Sequence, residues 1–162
     1  MALQFTRNNI LKGAIIYASG DTIAALLLHE FMWTRLLGIV FIGATVYAFE
    51  IPNYFRWIDK TTEGYTGLKL SVWKTTLAIL YFNPLWIARH MFFILLFSSR
   101  FESITWDLLR VASLSFLVNI PISLIANFLI QNKMPYRWRF FASATFSALM
   151  AIYYAVSIVL FK

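Results

Sequence analysis

The chain has 162 residues, of which 60% are hydrophobic and 13% charged, with a mean hydropathy of +0.70. Soluble domains run about 45–50% apolar and about 25% charged, which excludes a water-soluble domain of this size. The lack of cysteine removes disulfides, thiolate metal sites and cysteine nucleophiles, and the net charge of +7 reads as basic loops facing anionic lipid, not as a nucleic-acid surface.

A helix that crosses a bilayer needs about 20 mostly apolar residues. Five runs qualify, at roughly 10–29, 35–56, 72–97, 107–130 and 139–161. They lack the alternation of barrel strands, so the sequence predicts an all-α integral membrane protein. The expected architecture is one domain over 1–162, a bundle of about five transmembrane helices.

Arg7 and Lys12 precede the first run, but no small-residue cleavage site follows a short apolar core, so the run is read as a retained span. Asp21 lies within it, too far from either end to reach water. Span two carries Glu50 near its basic end. Residues 57–71, with Gly64 and Gly67, read as a polar surface turn. Span three contains NPLWIARHMFFILLF, in which Pro84 breaks the helix and Arg89 and His90 stand side by side in an oily run. Span four sets Asn119 and Asn127 on either side of Pro121. Span five repeats small residues every fourth position, at Ser143, Ser147, Ala151 and Ala155. Such a face lets helices approach closely, within the chain or in a homo-oligomer.

Basic residues in loops set orientation. Arg7, Lys12, Arg56, Lys60, Lys69, Lys74, Lys133, Arg137 and Arg139 fall on one side, and Arg35, Arg100, Arg110 and Lys162 on the other. The N-terminus is therefore expected inside and the C-terminus outside, in a bacterial inner or organellar membrane. Trp33, Trp57, Trp73, Trp106 and Trp138 fall near span ends, as an aromatic belt does.

Ionisable residues inside a membrane are costly and mark function by default. Arg89 needs a counterion, and Asp21 and Glu50 are the carboxylates within spans. The expected site is a small hydrated cavity in which Arg89 pairs with one or both, lined also by Asn119 and Asn127. His90 points about 100° away from Arg89 on the same helix, and so belongs at most to its margin. The rival reading is a buried ion pair that only fixes helix packing. No glycine-rich phosphate loop, metal-ligand spacing or nucleophile elbow occurs, so neither enzyme, cofactor nor metal is expected.

Several of these residues stand in ordered spacings. Gly20-Asp21 comes late in span one, and Tyr54 and Asp59 close span two in IPNYFRWID. Lys74 and Pro84 bracket KTTLAILYFNP, and Pro121, Asn127 and Phe128 mark PISLIANFLIQNKMPYR ahead of Tyr136-Arg137. In these the chain resembles the Mpv/PMP family of small peroxisomal and inner-mitochondrial membrane proteins along most of its length. It departs from that pattern at Ala25, Ala78-Ile79 and Ile120, where the family carries glutamine, Asp-Gln and tryptophan. A weaker likeness is to the bacterial L-alanine exporter family, through Arg35, Tyr54, Arg56 and the span-three proline. The resemblance implies a non-enzymatic membrane protein, a pore for small solutes. The function expected is thus a channel or transporter for a small polar solute or ion, with the lipid bilayer and that solute as partners. The alternatives are a non-transporting structural or assembly protein and a small amino-acid exporter.

Overall fold

The computed structural model describes residues 3–160, and side chains as far as 152. It is all-helical, with no strand among the described residues. Helix α1 spans Arg7–Leu27. Helix α2, Trp33–Ile42, passes through a π-helical stretch, Gly43–Tyr47, directly into α3, Ala48–Thr61. Helices α4, Gly67–Tyr81, and α5, Pro84–Phe97, are separated by a two-residue break. Helix α6 spans Asp107–Lys133 and α7 spans Tyr136–Leu160.

Among the described residues, four stretches are long and apolar enough to cross a membrane: α1, α2 through α3, α4 with α5, and α6. At 27 residues α6 is about 40 Å long, more than the hydrocarbon core requires. The expected span five, 139–161, falls on α7, and its Ala155 lies outside the residues whose side chains are described.

Local chemistry sets the ends. Thr6 caps α1 by accepting a hydrogen bond from the amide of Asn9. The break at Asn83 follows from Pro84, which has no amide hydrogen and sits at the first position of α5, while the Asn83 side chain accepts from the Trp86 amide. Residues 57–71 are a correction to the sequence reading. They are helical up to Thr61 and again from Gly67, so the turn is only Thr62–Thr66, with Gly64 at φ +84°. Polar residues there marked a helix end at the water boundary, not a loop.

The chain divides into two compact units, Met1–Asn53 with Phe140–Lys162, and Tyr54–Arg139. In the first, α1 packs on α2 and on the π-helical stretch. Tyr17 and Tyr47, both buried, lie against each other with ring centroids 4.6 Å apart and planes tilted by 47°. Gly13 and Gly43 face each other backbone to backbone, and Gly20 lies against Ala148 of α7. Of the small-residue face, Ser143 is buried and Ser147 and Ala151 are half-buried.

In the second unit, α6 packs on both α4 and α5. Tyr54 donates to the carbonyl of Leu77 at 2.9 Å and its ring lies 4.5 Å from that of Tyr81. Asn132 donates to the hydroxyl of Thr75 at 3.2 Å, so the last turn of α6 runs beside the start of α4.

Candidate functional site

Three groups of buried polar side chains stand out. The first is in the Met1–Asn53 unit. The Arg35 guanidinium donates to both carboxylate oxygens of Asp21, at 2.8 Å from Nε and 2.7 Å from Nη2. Arg35 and Asp21 are 5% and 3% exposed, so the pair is shielded from water. Glu30, more exposed, approaches Arg35 at 3.8 Å. The tight turn between α1 and α2 brings the first turn of α2 back alongside Asp21.

Arg35 is the counterion that sequence reasoning missed. At the start of span two it reads as a loop charge. The sequence instead offers Asp21, Glu50 or both to Arg89. A bidentate pair 14 residues apart was signalled only by the short link between the two helices.

The second group is at one end of the Tyr54–Arg139 unit. Asp59 of α3 accepts from Lys74 of α4 at 2.6 Å and from Nη1 of Arg139, on α7, at 2.8 and 2.9 Å. Arg139 also donates to the carbonyl of Met134 through Nε at 3.2 Å. One carboxylate thus ties the end of α3 and the start of α7 to the middle of α4. Trp57, Trp73 and Trp138, each within two residues of this triad, are partly exposed, as a belt at the headgroup level requires.

The third group is on α6. Ser115, Asn119, Ser123, Asn127 and Gln131 recur every fourth residue, and none of them is exposed. Asn119 and Asn127 each donate to the carbonyl four residues back, at 2.7 and 2.9 Å. Gln131 is fully buried, and neither its amide nitrogen nor its amide oxygen has a hydrogen-bond partner. The outer face of the same helix carries Leu114, Leu117, Val118, Ile122 and Ile125, all exposed. The ladder covers 17 residues, about 24 Å along the axis, most of a hydrocarbon thickness.

Of the residues singled out in the sequence, Asp21, Asn119 and Asn127 are buried, and Asn119 and Asn127 share the α6 ladder. Glu50 is half-buried in the first turn of α3, and Arg89 half-buried in α5. His90 stacks on Trp86, rings 5.8 Å apart and nearly parallel, as a packing residue would. Gln131 was missed, though its four-residue spacing from Asn127 was legible.

No family model, curated protein or solved structure matches the chain.

Proposed function

We propose that this is a multi-pass membrane protein that passes a small polar solute along the α6 ladder. The observation that carries the reading is the inverted character of α6. A helix long and apolar enough to cross a membrane turns apolar side chains outward, buries the amides of Asn119, Asn127 and Gln131 and half-buries the hydroxyls of Ser115 and Ser123, over about 24 Å. Polar groups at such depth are costly unless they pair or line a watery path. Gln131, fully buried with both amide atoms unpartnered, is a group that a passing solute or water would satisfy. The ladder is made of amides and hydroxyls, which suits an uncharged solute better than an ion. The likeness to the Mpv/PMP family supports the same reading.

The test is solute entry into liposomes carrying the purified chain, followed by swelling in urea, glycerol and a neutral amino acid. Wild type should swell faster than empty liposomes in at least one, and Asn127→Leu should slow that entry while the protein stays folded. Swelling equal to that of empty liposomes for every solute would leave a purely structural role.

A further inference from the structure

A groove of about 400 Å³ runs along the outside of the Tyr54–Arg139 unit, between α4 and α6. Its walls are Leu68 and Val72 on one side and Leu124, Ile125, Phe128 and Leu129 on the other, all exposed. Its floor is Ser71, Thr75 and Thr76, small side chains between bulky ones. The polar atom of Thr75 is spent: its hydroxyl donates to the Ser71 carbonyl at 2.8 Å and accepts from Asn132 at 3.2 Å. The floor therefore presents mainly carbon, and hydrocarbon is the occupant it can hold without leaving a polar group dry.

Charge stands at one end only. Lys133 places its ammonium 6.0 Å from the centroid of the Phe128 ring, over the groove wall. Lys69, next to wall residue Leu68, lies over the Tyr65 ring at 4.1 Å. Both lysines are exposed. Trp73 sits on α4 at this level, where an interfacial tryptophan marks the headgroup region. The groove thus begins at the membrane surface beside two cations and continues into the hydrocarbon.

We propose that this groove seats one acyl chain of an anionic phospholipid, with Lys69 and Lys133 holding its phosphate. The groove follows the helix axis from Leu68 to Thr76, about 12 Å, which suits a chain segment lying along the helices. A further transmembrane helix, about 10–12 Å across, is too wide to enter between two helices already joined at Asn132 and Thr75. Neutral lipid would fill the apolar part equally well, so the lysines supply the selectivity. At about 1 kcal/mol per basic residue near the surface, two lysines give roughly a 30-fold preference for the anionic headgroup.

The experiment measures thermal stability of the purified full chain in detergent as lipid is titrated. Phosphatidylglycerol should stabilise at about 30-fold lower concentration than phosphatidylcholine. The double variant K69Q/K133Q should remove that difference while keeping the response to both lipids. Thr76→Phe, which fills the groove from an exposed position, should weaken stabilisation by both. Inorganic phosphate should have no effect. Equal response to the two lipids, an unchanged preference in K69Q/K133Q, or full response in Thr76→Phe would overturn the proposal. A change of oligomeric state in Thr76→Phe would assign the groove to a second copy of the chain instead.

Discussion

Arg35 grips both carboxylate oxygens of Asp21, at 2.8 and 2.7 Å, where neither side chain reaches water. In such surroundings each charge is tolerable only because the other is there. Removing one partner leaves a buried charge with no compensation, whereas removing both leaves an apolar gap that neighbours can fill. Asp21→Leu or Arg35→Met alone should destabilise by about 3–5 kcal/mol, and the double variant by clearly less than the sum. Denaturation of the four proteins in detergent measures this. Additive losses would mean that the two residues act separately.

Gly13 and Gly43 are the closest approach between α1 and the α2–α3 helix. A methyl group added to either would run into the backbone carbonyl of the other, which cannot rotate aside. Gly43 also opens the π-helical stretch, whose extra residue lets the helix continue past α1 without a break. Gly13→Ala and Gly43→Ala should each cost at least about 1–3 kcal/mol, the range for overpacking. Gly64→Ala, at a turn with open space around it, loses only the ease of its positive φ and should cost less. Thermal stability of the three variants should rank accordingly, and equal losses would argue against a tight glycine contact.

The helices were legible because hydropathy reports directly on length and lipid exposure, and Pro84 named its own break. The polar partners were not, because pairing is a property of three dimensions. Asp21 and Arg35 look like one buried and one interfacial residue along the chain, yet a turn of a few residues makes them neighbours. Asp59, Lys74 and Arg139 read as loop charges, since polar residues at a helix end and in a loop have the same composition. The α6 ladder was half read: Asn119 and Asn127 were conspicuous, while Ser115, Ser123 and Gln131 became visible as a set only against the exposed leucines and isoleucines of the other face. The π-helical stretch had no sequence signal beyond Gly43 itself.

Asp59 accepts from two cations on two different helices, so its loss leaves Lys74 and Arg139 facing each other. Asp59 is about one-third exposed, and solvent and salt screen part of the effect. Asp59→Asn should destabilise by about 1–3 kcal/mol, and the loss should shrink as salt rises from low to molar concentration. Arg139→Lys should show a smaller loss, because the ammonium keeps a positive charge beside Asp59, while some loss remains because it cannot reproduce the guanidinium contacts to Asp59 and to the Met134 carbonyl. A salt-independent loss would locate the effect in packing and not in charge.

The same triad fixes which helix ends lie together in its unit. The end of α3, the middle of α4 and the start of α7 meet at Asp59, and the end of α6 meets α4 at Asn132. Cysteines placed at Glu63 and Met134, both exposed, should therefore label from one side of the membrane, and a cysteine at the exposed Ser99 from the other. The excess of Lys and Arg predicts that the first side is the inner one. No native cysteine confuses the readout. Labelling of Glu63 and Met134 from opposite sides would mean that α6 ends away from the start of α4.

Gln131 separates a conducting ladder from a purely structural one. A fully buried amide whose two polar atoms make no hydrogen bond is a cost to the fold, not a gain. Gln131→Met, close in volume and apolar, should leave stability unchanged or raise it by about 1–3 kcal/mol. If the amide faces the solute path, the same change should slow solute entry severalfold, because a passing solute loses a hydrogen-bonding partner in a dry stretch. Stability and flux would then move in opposite directions. The measurement is swelling of liposomes with equal amounts of wild type and Gln131→Met, with unfolding followed in parallel. A variant that is less stable would show that the amide is already satisfied within the fold, and a more stable variant with unchanged flux would place Gln131 off the path.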